Sequence, residues 1–275
     1  MMISLEKLYF LKEKTPNLIK KCFPNFLRRK INKIFFQYYF LETNLKELPK
    51  LNYPSSENLL YQKNLIKKFD ITNSQNSFMT CPHLIELLLM KFKVEERLDF
   101  LDIGGENIDF FLSLNNKFKN LNYFLFNQPS INNTFKKIKS EYNFENLNII
   151  DNFNEILEKK YDFINFGSCI QYFNEYEEFL KKVSNNSKCI FFSGTHLYDS
   201  PHVQFEKKLV VKQVNVLPQI NFLYFFNRSK FFEILIKKNF ELMFEKKNLT
   251  DKVNYENFRR NLQNISYSDF LFLKK

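Results

Sequence analysis

Two histidines and an aspartate stand close together in GTHLYDSPHVQ (194–204): His196, Asp199 and His202. Imidazole is the side chain best suited to take a proton near neutral pH, and a neighbouring carboxylate can orient it. His196 and His202 are therefore the candidate general bases. The same three residues could approach a metal, but two His and one Asp in a loop fall short of a zinc site's usual ligand set, and no metal is expected. The third histidine, His83, stands behind Pro82 at a helix start and reads as a capping or surface residue. The four cysteines, Cys22, Cys81, Cys169 and Cys189, form no CxxC pair. That argues against structural zinc and a disulfide framework, and fits a reducing cytoplasm. Cys169 has no basic neighbour in sequence to lower its thiol pKa, so it reads as a small pocket-lining residue rather than a nucleophile.

The chain has only 4 Gly in 275 residues, no Trp and no Ala, against 35 Phe. Residues with GC-rich codons are scarce throughout, which marks genomic base composition. Where a glycine survives such a bias, the backbone is expected to need it. The survivors are Gly104, Gly105, Gly167 and Gly194, and each lies at the end of a short apolar run.

Those runs define the elements that must position the chemistry. LDFLDI (98–103), NYFLF (122–126), LNII (147–150), YDFINFG (161–167) and KCIFFSGT (188–195) read as strands. FKKIKSEY, FNEILEKK and EYEEFLKKV between them read as helices. The alternation predicts a parallel sheet built from right-handed crossovers. SKFFEILIKKN (229–239) reads as a Ser-capped helix, and 240–247 and 266–275 as closing strands. Ligands of an open parallel sheet sit beyond the carboxyl ends of its strands, which is where the glycines and both candidate bases fall.

Upstream, residues 17–41 carry apolar positions at three- and four-residue spacing, with Lys20, Lys21, Arg28, Arg29 and Lys33 opposite. This basic amphipathic helix either packs its stripe on the main domain or lies on an anionic membrane surface. The expected organisation is a helical extension over 1–53, a helical lead-in over 54–97 with helices at 55–69 and 82–93, and the sheet domain over 98–275. The formal net charge of +11 is uneven: residues 1–50 carry 11 basic and 4 acidic groups, 201–275 carry 14 and 7, and 101–200 carry 10 and 13. An acidic middle makes nucleic acid an unlikely partner, since positive charge would then surround the cleft. No run of about 20 uncharged apolar residues appears, so no transmembrane helix is expected, and the N-terminus lacks the pattern of a secretory signal.

Several of these segments resemble a known pattern. DFLDIGG (99–105) is similar to the first motif of class I S-adenosylmethionine-dependent methyltransferases. More narrowly, LDIGG (101–105), NQP (127–129), GSCIQYFNEYEEFL (167–180) and the stretch 210–235 resemble, in order, a bacterial methyltransferase family associated with surface-polysaccharide loci. The resemblance covers about half the chain. It implies a Rossmann-like class I fold, a mostly parallel seven-stranded sheet flanked by helices, and S-adenosylmethionine as cofactor. It implies that Asp102, Gly104 and Gly105 hold the methionine part, Asn127 and Gln128 meet the ribose, Asp151 faces the adenine amine, and Ser168, Cys169 and Gln171 line the pocket near the sulfonium. The implied activity is methylation of a small-molecule or glycan acceptor, with oxygen as the candidate atom, in the cytoplasm or on the inner face of its membrane. The chain departs from the pattern twice. Glu106-Asn107 stand where further glycines are usual, and Asn127 replaces the acidic residue that accepts from the ribose diol. A catalytically degenerate binding protein of surface-polysaccharide assembly is the alternative these departures suggest.

Overall fold

The structure is a computed structural model and describes residues 39–41, 45–49, 59–72, 82–199, 207–216, 219–248 and 265–275. In chain order the described elements are β1 (Tyr39–Leu41), α1 (Leu59–Thr72), α2 (Pro82–Lys91), β2 (Arg97–Ile103), α3 (Ile108–Lys117), β3 (Asn120–Phe126), α4 (Pro129–Tyr142), β4 (Leu147–Ile150), α5 (Phe153–Leu157), β5 (Tyr161–Gly167), α6 (Tyr176–Val183), β6 (Ser187–Tyr198), β7 (Lys208–Val216), β8 (Gln219–Asn227), α7 (Arg228–Ile236), β9 (Phe240–Asn248) and β10 (Ile265–Lys274).

Strands β2 to β6 pair in parallel in the spatial order β4-β3-β2-β5-β6. They are apolar nearly end to end because helices cover both faces of the sheet. On one face Phe100 stacks between Tyr123 and Phe163 at centroid distances of 5.4 and 5.3 Å, beneath α1, α2, α3 and α4. On the other, Phe166 stacks on Phe192 at 4.9 Å, beneath α5, α6 and α7. A chain without Ala or Trp fills its interior with phenylalanine, whose offset rings add specific geometry to apolar burial. β10 lies antiparallel between β6 and β9 and completes the expected seven-stranded, mostly parallel sheet.

The sheet is wider than expected, with ten strands among the described residues. β7 and β8 form a hairpin, β1 adds to its outer edge, and β8 joins β6 through Leu197 and Tyr198. The cause lies at Gly194. The β6–β10 register shifts so that Ser268 faces Thr195 while Phe270 faces Phe192. Gly194 adopts φ +55° in this bulge, a conformation that favours glycine, and its N–H donates to Asp269 Oδ1 at 2.7 Å rather than to the ladder. The chain therefore bends instead of stopping. Residues 196–198, expected as a loop, continue β6, and β8 takes the edge that β5 leaves at Gly167.

Three further expectations are corrected. Tyr39–Leu41 were read as the end of a helix over 17–41, and they form β1, which β7 recruits through antiparallel pairing; residues 17–38 lie outside the described residues. His83 is neither a cap nor on the surface: its Nε2 lies 3.1 Å from Asp269 Oδ2, with only 17% of its side chain exposed. α7 is capped by Asn227, whose Oδ1 accepts from Lys230 N at 3.3 Å, and not by Ser229. The polar segment at 45–49 is fastened to the sheet domain: Leu48 N donates to Asn174 Oδ1 at 2.9 Å and to Tyr224 Oη at 3.2 Å.

Candidate active site

A cleft of about 690 Å³ opens at the carboxyl ends of β2, β3, β4 and β5. Its floor is the turn after β2. Gly104 has φ +79°, and a Cβ there would stand 2.4 Å from Cys169 Cβ. Glycine thus allows the turns after β2 and β5 to touch. The contact is fastened by Cys169 Sγ donating to Ile103 O at 3.0 Å, and Gly104 N, donating to Phe126 O at 2.9 Å, ties the same turn to the end of β3. Burial pushes the Cys169 thiol well above its ordinary pKa, so it stays protonated, as expected of a lining residue.

Gly105 answers a different need. A Cβ there would lie 1.9 Å from Asp102 Oδ2. Asp102 is buried beneath the turn, where Tyr123 Oη donates to Oδ2 at 2.5 Å and Asn165 Nδ2 donates to Oδ1 at 2.8 Å. Burial raises its carboxyl to about 6, against the lowering effect of those two bonds. Asp102 and Gly105 therefore shape the floor from behind and do not line the cleft.

The turn is held from above by a residue that sequence reasoning missed. Gln62 of α1 is 2% exposed. Its Nε2 donates to Glu106 O at 2.7 Å and its Oε1 accepts from Ile108 N at 2.8 Å, satisfying a free amide at the start of α3. Nothing in a mid-helix glutamine signals this role; it exists only because α1 packs over the turn. Glu106 and Asn107 also line the cleft. Their position directly after Gly105 is the signal that could have placed them there. The Glu106 carboxyl is raised above its ordinary value because neighbouring protein displaces water from it.

Across the cleft, Asn127 and Gln128 follow β3. Asn127 Nδ2 donates to Gly105 O at 2.7 Å and its Oδ1 accepts from Gln128 N at 2.7 Å, so this amide ties the two turns together. Asp151 stands at the outer rim after β4, where Lys136 and Asn132 hold its carboxylate; the Lys136 hydrogen bond is the main cause of its lowered pKa. After β5, Ser168 takes φ +56° beside Gly167. Gln171 is buried behind it, with Nε2 donating to Ser168 O at 2.8 Å and Gly194 O at 3.3 Å. Gly167 lines the cleft without steric need, since the nearest atom to an added Cβ is 3.6 Å away. Tyr172 and Phe173, and Asn221 from the hairpin strand β8, close the remaining side.

The structure thus gathers Gly104, Asn127, Gln128, Asp151, Ser168 and Cys169 around one cleft and sets Asp102, Gly105 and Gln171 behind it. It does not bring His196 there. His196 is 2% exposed inside β6, stacked on Phe225 at 4.4 Å and tilted against Tyr267 at 4.8 Å. Burial pushes its imidazole down to about 3. His202 lies outside the described residues. The described lining has two carboxylates, Glu106 and Asp151, and no Lys, Arg or His. Among the described residues no group of three or more His, Cys, Asp and Glu is placed to hold a metal, and no helix is long and apolar enough to cross a membrane.

No protein-family model and no curated protein matches the sequence. Solved structures do. A proposed sarcosine dimethylglycine methyltransferase from Galdieria sulphuraria aligns with a TM-score of 0.50 and 12% identity, over 71% of this chain and 85% of its own. The chain has the Rossmann-like class I methyltransferase fold. The N-terminal domain of EvdMO1, crystallised in the presence of SAH and D-fucose, aligns at TM-score 0.49 and 14% identity over 73% and 84%. Magnesium protoporphyrin IX methyltransferase from Synechocystis PCC 6803 with bound SAM aligns at 0.47 and 8% over 82% and 100%. At such identities the likeness is one of fold.

Proposed function

We propose that this protein is an S-adenosylmethionine-dependent methyltransferase acting on an oxygen of a small-molecule or sugar acceptor. The observation that carries this reading is the charge of the cleft. The whole chain is formally +11, yet the described lining offers the carboxylate of Glu106 and that of Asp151, the latter paired with Lys136 at the rim, and no lining cationic side chain. A dinucleotide or nucleotide sugar brings phosphates, which call for Arg, Lys or a glycine-rich phosphate loop. S-adenosylmethionine brings no phosphate and a net positive charge, a sulfonium and an ammonium against one carboxylate, which a cleft lined by carboxylates and no cation suits.

In this reading the turn at Gly104, shaped by Asp102 and Gly105, receives the methionine part. Asp151 faces the adenine amine, Asn127 and Gln128 border the ribose, and Ser168 and Cys169, backed by Gln171, stand near the sulfur. The cofactor supplies a methyl group already activated on a sulfonium. What remains for the protein is to orient the acceptor and exclude water. His196, neutral and stacked in β6, is unsuited to proton removal. That task falls to His202 or is unnecessary for an acceptor oxygen that is already ionised. Tyr172, Phe173 and Asn221 supply apolar and polar surface on the acceptor side. The ordered resemblance to polysaccharide-associated methyltransferases and the basic residues 1–50 support a glycan acceptor at the inner face of the cytoplasmic membrane.

Calorimetric titration of the full chain with S-adenosylmethionine tests the reading. Saturable binding is expected, with a raised melting temperature in S-adenosylhomocysteine; no heat and no shift at millimolar ligand would overturn it. A second reading, a non-catalytic binding protein, is favoured by the amide at position 127. Transfer of labelled methyl to a panel of sugars separates the two.

A further inference from the structure

We propose that Glu106 supplies the carboxylate that accepts from the ribose diol of the adenosyl ligand, in place of the amide at position 127. This rests on the cofactor reading above and deepens it. Asn127 is a poor acceptor for a diol, because its Nδ2 is spent on Gly105 O and its single oxygen already accepts from Gln128 N, each at 2.7 Å, which leaves one lone pair for two O–H donors. The other nearby carboxylates are committed as well. Asp102 is buried under Tyr123 and Asn165, and Asp151 is held by Lys136 and Asn132.

Glu106 differs on each count. It lines the cleft, and no hydrogen bond or ion pair holds its carboxylate among the described residues. Its main chain is nevertheless fixed, since Gln62 Nε2 grips its carbonyl at 2.7 Å. It follows Gly105, whose carbonyl receives the Asn127 amide, so its side chain leaves the backbone one residue from the point that the position-127 side chain reaches. A vicinal diol presents two O–H donors. A carboxylate accepts both with charge assistance, whereas a neutral amide has one oxygen, here already accepting from Gln128 N. The side chain that replaces a customary glycine and the amide that replaces a customary acid are then one exchange: the negative charge has moved from the end of β3 to the turn after β2.

The test is calorimetry on wild type and Glu106→Gln, with melting curves to show equal folding. The probes are S-adenosylhomocysteine, 5′-methylthioadenosine, which keeps the diol but lacks the amino-acid end, and the 2′-deoxy form of methylthioadenosine. Glu106→Gln is expected to weaken both diol ligands about tenfold, the scale of one charged hydrogen bond, and to weaken the 2′-deoxy ligand, which keeps only the 3′-hydroxyl, by a clearly smaller factor. Three results would overturn the assignment: no loss in Glu106→Gln, an equal loss on the 2′-deoxy ligand, or a loss confined to S-adenosylhomocysteine, which would place Glu106 at the amino-acid end. If wild type binds none of the probes, the cofactor reading itself falls, and this role with it.

Discussion

Alanine at position 105 should damage the protein while alanine at position 167 should not, although both glycines end strands at the same cleft. The Gly105→Ala methyl would sit 1.9 Å from Asp102 Oδ2, 2.7 Å from Asp102 Cγ and 3.2 Å from Leu125 Cδ1. A carboxylate on the surface would swing aside. Asp102 cannot, because it is 2% exposed and bonded by Tyr123 and Asn165. Making room breaks the Tyr123 bond and leaves a buried hydroxyl unpaired, which costs about 1–3 kcal/mol. For a chain of this size that is roughly 2–12 °C in melting temperature. The Gly167→Ala methyl meets nothing closer than 3.6 Å, and its smaller unfolded-state entropy should stabilise by about 0.4–1 kcal/mol. Thermal and urea melts of both variants, with Asp102→Ala alone and combined with Gly105→Ala, give a double-mutant cycle. The Gly105→Ala penalty should shrink when Asp102 is truncated, since the clash is gone. Equal melting of Gly105→Ala and wild type, or a penalty unaffected by Asp102→Ala, would refute the steric account.

Asp102 also predicts a pH dependence. Its folded pKa of about 6 lies above the unfolded carboxyl value, so the native state binds the extra proton and stability falls as pH rises from about 4 to about 6. Two units correspond to about 3 kcal/mol; wild type should lose this relative to Asp102→Asn across that window, and parallel pH profiles of the two would contradict it. Gln62→Ala strips partners from Glu106 O and Ile108 N and should cost about 1–3 kcal/mol, while weakening S-adenosylhomocysteine binding measured by calorimetry. Asp269→Ala removes the acceptor for the Gly194 amide and the partner of His83. A melting loss equivalent to about 1–3 kcal/mol is expected; an unchanged melt would show that the bulge does not need the carboxylate.

The sheet was legible because parallel strands buried on both faces leave near-continuous apolar runs, and β2, β3, β4 and β5 coincide with the runs ending at 103, 126, 150 and 167. The turn at Gly104-Gly105 was legible for a related reason: in a chain so poor in glycine, two in a row after a strand mark backbone that cannot carry a side chain. The Gly194 bulge was not legible. A glycine after an apolar run looks the same whether the strand stops or bends, and the partner β10, with Asp269 ready for the displaced amide, decides which. That bend buried His196 within β6 and created the edge on which β8, β7 and β1 assemble. Gln62 and His83 likewise gained their roles from helices docking across long stretches of sequence. Local pattern determined the elements and the strand ends where a ligand would sit, because periodicity and conformational freedom are properties of neighbouring residues. Which side chains face the cleft, which brace it from behind and which are buried away from it were settled only by packing between distant segments.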